Sequence, residues 1–368
     1  MSMHVVVSGW LLGPHSGANQ RLLAILAHAG KHLQQEERIT VLHRADYTPP
    51  TLSRTNWLPI DIPTGPTWKR ALREQSRLPT LLKELDATVY DHGFLPPPRV
   101  PVPLCLTIHD LRAVDGHTKW PRILARSVLR KACRRAHAIV TPSKWTATRL
   151  HEIIPTTIER TVVARNATSA PPHEPQPLPR PQPRNGFVLH VGHLEARKNL
   201  DVIIRALALL PRDEAPEFWL AGRDAGSGQQ LLQLARDLDL TPVVHHLGAV
   251  DEETLHSLYH HARAVVMPSI YEGFGIPALA GLAYGKPVLA ADATALPEIL
   301  AGRGTLLPAD QPLAWMRAIR TAIQEPVGDQ QNPAAAERRA FVDTTETWDD
   351  IAASYVMTWR TLSTREHR

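Results

Sequence analysis

Residues 269–292 read SIYEGFGIPALAGLAYGKPVLAAD. The apolar run AVVMPS (264–269) leads into them and PVLAAD (287–292) closes them, and each has the length and β-branched character of a buried strand. Between the two, Glu272 precedes a Gly-Phe-Gly turn, and Pro277 then stands where a helix favours proline, at its start. Gly273 and Gly275 allow positive φ and a close backbone approach to a ligand, while the helix after them offers an N-terminus that favours negative charge. Ala280, eight residues after Glu272, falls in the first turn of that helix on this reading.

Working outward, the same grammar repeats on both sides. Short strands end at small or polar residues and longer helical patterns follow. The first half contains HVVVSG, RITVLH, ATVYDHG, PLCLTIHD, AIVTPS and RTVVARN; the second contains FVLHVG, EFWLAG, VVHHLG, AVVMPS, PVLAAD and GTLLP. Between strands lie helices such as NLDVIIRALALL, with Leu200, Ile203, Ile204 and Leu207 on one face. The boundary is APPHEPQPLPRPQPR (170–184), in which seven of 15 positions are proline, too many for a helix or a central strand. The expected fold class is therefore α/β: two Rossmann-like domains with parallel sheets facing a central cleft. The expected boundaries are 1–169, a linker at 170–184, a second domain at 185–345, and a closing helix at 346–368 that crosses back to the first domain.

A length of 368 residues suits two cores. Cys105 and Cys133 have no metal-type spacing, and no disulfide framework is suggested, which fits the cytoplasm. No apolar run reaches the roughly 18 residues of a membrane span, and the start lacks a basic n-region. Residues 1–185 hold 25 Lys and Arg against 13 Asp and Glu; the remainder holds 16 against 23. A basic first half suits an anionic membrane, an acidic substrate or nucleic acid, or is a solvated surface. Nothing interleaves aromatic with basic residues in a nucleic-acid pattern, so no nucleic-acid partner is expected.

HVGHLEARKNLDVII (190–204) runs from a strand through a turn into a helix and places Arg197 and Lys198 at an exposed helix entrance. Cations beside free backbone N–H groups suit a diphosphate. Glu272 would repel phosphate, and a carboxylate beside a phosphate cradle suits sugar hydroxyls. Together with ALPEI (295–299), these motifs resemble the retaining glycosyltransferases of family four, which have the GT-B fold. SGWLLGPHSGANQRL (8–22), LTIHDL (106–111), AIVTPSKWTATRL (138–150) and TWDDIAASYVMTWRTL (347–362) are similar to other segments of that family. The wording is most similar to its bacterial mannosyltransferases, which use GDP-mannose.

The resemblance implies a nucleotide-diphosphate sugar as donor, GDP-mannose favoured and a UDP-sugar as the alternative, with a glycan or lipid-linked acceptor of the cell envelope. It implies that Arg197 and Lys198 hold the diphosphate and that Glu272 contacts the sugar. The backbone of Gly273, Phe274, Gly275 and Ile276 would lie along sugar and phosphate. Gly17 would let a first-domain loop approach, and His109 and Asp110 would border the transferred sugar. The family's second glutamate, which takes the ribose hydroxyls, falls on Ala280. That departure keeps open a second reading, a catalytically weakened relative that binds nucleotide or glycan as a partner subunit. Charge on the leaving diphosphate can be met by cations and backbone dipoles, so neither metal nor cofactor is called for.

Asp237 and Asp239 form a D-x-D pair, but two positions apart on a helix do not face each other. His256 and His260 are correctly spaced for a shared metal on a helix but have no third ligand. In KWPRILARSVLRKACRRAHA (119–138), Arg122, Arg126, Arg130 and Arg134 recur every four residues, opposite Trp120, Leu124, Val128, Ala132 and Ala136. The pattern fits a core-facing helix with a solvated basic face. It also fits, as the second choice, peripheral contact with anionic lipid at the inner face of the membrane.

Overall fold

The computed structural model describes residues 2–12, 17–118, 120–168, 170, 173–326 and 332–364. The chain divides into two compact units, Met1–Asn166 with Glu346–Arg368, and Ala167–Thr345.

Seven strands of the first unit form one sheet: β1 (His4–Ser8), β2 (Arg38–His43), β3 (Thr55–Pro59), β4 (Val89–His92), β5 (Leu104–Thr107), β6 (Ala138–Thr141) and β7 (Thr161–Val163). They lie in the order β3-β2-β1-β4-β5-β6-β7, and each neighbouring pair is parallel. β1 is central, with Val5 facing Ile39 on one side and Val89 on the other, and it is buried throughout. Strands covered on both faces need continuous apolar runs, which is why VVV serves here. The sequence patterns omit β3. It is the sheet edge, its residues are only partly covered, and TNWLP has neither an apolar run nor a clean alternation.

In the second unit, β8 (Phe187–Val191), β9 (Glu217–Ala221), β10 (Val244–Gly248), β11 (Ala264–Met267), β12 (Val288–Ala291) and β13 (Thr305–Leu307) lie in the order β10-β9-β8-β11-β12-β13, again parallel. Phe187 and Trp219 stack in its core with ring centroids 4.0 Å apart. In both sheets the strand order reverses next to the first strand, between β1 and β4 and between β8 and β11. Loops leaving the carboxyl ends of such a pair diverge and leave a crevice.

The helix Trp348–Ser363 belongs to the first unit. Thr347 and Asp350 cap its start reciprocally, and Ile351, Tyr355, Val356, Trp359 and Leu362 form its buried face. Trp359 Nε1 donates to Asp91 Oδ2 at 2.7 Å, and Arg360 bonds both carboxylate oxygens of Glu37 at 2.8 Å. The chain therefore ends on the sheet with which it began.

Candidate functional site

The motifs of the second unit meet at its switch point. β8 leads through Gly192 to a 3-10 turn, Ala196–Lys198, then to Asn199 in the left-handed region (φ 53°) and the helix Asp201–Leu207. β11 leads through Glu272 to Gly275 (φ 109°), which caps the helix Ile276–Ala283. A Cβ at Gly275 would lie 2.8 Å from Leu296 Cδ2, so both backbone angle and space demand glycine.

Glu272 is buried, and its carboxylate is taken up by the two cations. Lys198 Nζ donates to Oε1 at 2.5 Å; Arg197 Nη1 donates to Oε2 at 3.2 Å and to the Tyr271 carbonyl at 2.9 Å. Burial by itself would raise the Glu272 carboxyl, but the adjacent Lys198 and Arg197 charges outweigh it and hold the group at about 2. Arg197 also donates from Nε to Glu195 at 2.9 Å, and the Glu272 N–H donates to Thr294 Oγ1 at 2.9 Å. Lys198 is buried as well, which corrects its expected place at an exposed helix entrance. The reason is its partner, since an ammonium can leave water when a buried carboxylate receives it. Glu195 and Thr294 were not read from the sequence. A residue that acts only through a partner close in space has no spacing signature.

Phe274 is buried and Ile276 half-buried in this turn. Ala280 is the fifth residue of its helix, in the second turn and not the first, and its methyl group is buried in the core.

The remaining candidates belong to the first unit. Gly17 is the first residue of the helix Gly17–Ala29, and residues 13–16 of the preceding glycine loop lie outside the described residues. His109 and Asp110 follow β5. Burial and then the Arg21 and Arg112 charges push His109 down to about 3, so the ring is neutral. It lines a cavity of about 30 Å³ with Ser8, Arg21, Phe94 and Thr107 among others. Asp110 Oδ1 accepts the Arg112 N–H at 3.1 Å. Arg21 spends its guanidinium on the carbonyls of Ala164 and Arg165, on Asn166 Oδ1 and on the Tyr355 hydroxyl.

Among the described residues no three His, Cys, Asp or Glu side chains are placed to hold a metal ion. Asp237 accepts from Gln233 Nε2, and both His256 ring nitrogens are engaged, with the Tyr284 hydroxyl at 2.7 Å and the His173 carbonyl at 3.0 Å. The basic helix spans Arg122–Arg135, with Lys119 outside the described residues. Its buried face is Ala125, Leu129, Ala132 and Cys133, whereas Trp120, Ile123 and Leu124 are 42, 86 and 50% exposed. The expected apolar stripe is thus corrected. A strict spacing of four drifts about 40° per step around a helix of 3.6 residues per turn, so it cannot stay on the core. The face that stays alternates steps of three and four.

The family model for Glycosyltransferase Family 4 matches residues 26–169, and that for Glycosyl transferases group 1 matches residues 176–340. The chain belongs to glycosyltransferase family four. O-antigen chain mannosyltransferase B of Escherichia coli is 36% identical over 121 residues, 32% of each chain. The first curated relatives are matched over only 32, 35 and 39% of their own length. Among solved structures, sucrose-phosphate synthase from Thermosynechococcus elongatus superposes with a TM-score of 0.77 at 17% identity, covering 98% of this chain and 99% of that one. Anabaena HepE in complex with UDP and glucose gives 0.72 at 18%, covering 98% and 100%. At such identities the family-four chain shares the GT-B fold with these proteins.

Proposed function

We propose that this family-four protein transfers a hexose, mannose favoured, from a nucleotide-diphosphate sugar to a hydroxyl of a glycan or lipid-linked glycan, with retention at the anomeric carbon. The observation that carries the reading is the Arg197–Glu272–Lys198 cluster at the β8/β11 switch point, beside the glycine-capped helix Ile276–Ala283. A diphosphate entering there competes with Glu272 for the two cations. Glu272, once released, can accept hydrogen bonds from sugar hydroxyls. As the bond from anomeric carbon to diphosphate oxygen breaks, Arg197 and Lys198 balance the charge that develops on the leaving oxygen. His109, neutral and half-buried, and Asp110 are the first-unit residues that the resemblance assigns to the transferred sugar. GDP-mannose is favoured because the E. coli relative is named a mannosyltransferase; the UDP complex of HepE supports a UDP-sugar as the alternative.

The test is transfer and hydrolysis of GDP-, UDP- and dTDP-sugars, alongside thermal shifts, since a ligand bound to the folded state raises its stability with the logarithm of its excess. A donor that raises the melting temperature and is turned over supports the reading. Binding without turnover would favour the second reading, the partner subunit, which the small apolar Ala280 at the ribose position suggests. Failure of all donors to bind would overturn the transfer reading and the nucleotide-binding form of the second.

We further infer peripheral contact with an anionic membrane, at the inner face in the cytoplasm. The helix Arg122–Arg135 has no acidic residue, and it exposes Arg126, Arg130, Lys131 and Arg134 near the exposed Trp120, Ile123 and Leu124. Apolar side chains among basic ones suit lipid headgroups over acyl chains. No helix among the described residues is long and apolar enough to cross a membrane.

A further inference from the structure

At the carboxyl end of β8, His190 is fully buried and its ring reaches to the neighbouring strand β11, with Nδ1 3.1 Å from the Val266 carbonyl oxygen. A carbonyl only accepts, so Nδ1 carries the proton and Nε2 keeps its lone pair. That Nε2 is buried and has no hydrogen-bond partner among the described residues. Buried polar atoms are almost always satisfied, so an orphan at a switch point calls for an explanation.

Its surroundings supply one. A Cβ built on Gly192 would lie 3.4 Å from His190 Nε2 and 3.4 Å from Lys198 Nζ, so both nitrogens border the same small space. Lys198 Nζ has three N–H donors, and Glu272 Oε1 takes one of them. Burial, reinforced by the Lys198 charge, holds the imidazole at about 3, and it is therefore a neutral acceptor at neutral pH. Neutrality matters chemically. A second carboxylate in this position would cancel the ammonium's charge, whereas an imidazole lone pair orients the ammonium and leaves its charge for phosphate.

We propose that His190 is a positioning residue that accepts a hydrogen bond from Lys198 and holds the ammonium toward the donor diphosphate when Glu272 turns to the sugar. This rests on the reading of Lys198 as a diphosphate ligand. Gly192 is part of the arrangement, because any side chain there would enter the space between the two nitrogens.

The experiment measures calorimetric dissociation constants for inorganic pyrophosphate, GDP and UDP with the parent, His190→Leu, His190→Gln, Lys198→Ala and the Lys198→Ala/His190→Leu double variant. His190→Leu should bind roughly tenfold or more weakly, the worth of a hydrogen bond to a charged group. His190→Gln should stay near the parent, since its amide oxygen can accept from the ammonium while its NH2 donates to Val266. In the Lys198→Ala background His190→Leu should cost nothing further, because residues acting through one contact are not additive. Equal binding by parent and His190→Leu, or an undiminished loss in the Lys198→Ala background, overturns the proposal. Should His190→Leu fail to fold, the 15N resonance of His190 Nε2 in the parent decides: it must move in the direction of hydrogen-bond acceptance when pyrophosphate is added, and an unmoved resonance overturns it. A parent that binds none of the three ligands overturns the diphosphate reading and this inference with it. A parent that binds them while His190→Leu binds equally well sinks this inference alone.

Discussion

Lys198 and Glu272 are each other's counter-charge, and that pairing sets what substitution does. Lys198→Ala should lower the transfer rate roughly 10²–10³-fold, the usual effect of losing one preorganised electrostatic group. It should also lower stability by about 3–5 kcal/mol, because a buried carboxylate is left short of a partner. Adding Glu272→Gln to that variant should restore much of the melting temperature and none of the transfer. Recovery of activity in the pair would show that Lys198 serves only the fold. Ala280 makes a different claim. If position 280 is where the resemblance places the ribose-binding glutamate, a methyl group there leaves the site without one charged acceptor for ribose. Dissociation constants for GDP and 2′-deoxy-GDP should then differ by less than the roughly tenfold to hundredfold that such a bond contributes. A strong ribose preference would mean that another residue has taken over the contact. At this scale the sequence marks Arg197, Lys198 and Glu272 as unusual residues in unusual turns. It does not show that they pair, because 74 positions separate Lys198 from Glu272.

Single elements were legible in proportion to how far they depend on their own residues. Twelve strand candidates follow from β-branched runs, whereas the edge strand β3 is held in register by its neighbour β2, Val41 facing Trp57, and has no run of its own. The charges of the basic helix mark its existence, but they do not mark its core face, which is Ala125, Leu129, Ala132 and Cys133. The correction sharpens a prediction. Replacing Arg126, Arg130, Lys131 and Arg134 with glutamine should reduce binding to vesicles containing anionic lipid, each basic residue near such a surface being worth about 1 kcal/mol. Ile123→Ser should weaken binding too, but with little effect on its salt dependence. Co-sedimentation across a salt series measures both, and binding that ignores anionic lipid or salt would leave the helix as a solvated surface.

At the scale of the whole molecule, buried carboxyl groups in the first unit predict how stability follows pH. Burial raises Glu74 to about 7 despite Arg70, and Asp91 to about 6 despite Trp359. Arg70 Nε lies 3.3 Å from Glu74 Oε1, and Tyr90 packs in the same core. At these two carboxyls, between the ordinary range and the raised values, the folded state binds more protons than the unfolded state. Buried His92, His109 and His190, held at about 3, make stability rise with pH up to about 6.5. Against them the two carboxyls make it fall from about 4 to about 7, by up to about 1.4 kcal/mol per pH unit for each group. Glu272 has the opposite sign: its contribution is present above about 4.5 and lost as pH falls toward 2. Urea unfolding between pH 4 and 8 measures the slope, and Glu74→Gln should shift it in the positive direction. An unchanged slope in that variant would remove Glu74 from the account.

The sequence by itself determined the parallel α/β class, because strand and helix periodicities and glycine turns are local properties of neighbouring residues. It also marked the two turns that carry Arg197, Lys198 and Glu272. Only the tertiary structure decided that β8 and β11 lie side by side, which brings those turns together, and that His190 Nε2 borders the same space as Lys198 Nζ. It alone decided which face of the basic helix is covered, and that the last helix packs through Trp359 and Arg360 on the first sheet. The physical reason is the same in each case. Pairing of distant charges, burial of one helix face and strand order depend on contacts across long sequence separations, and such contacts leave no period in the chain.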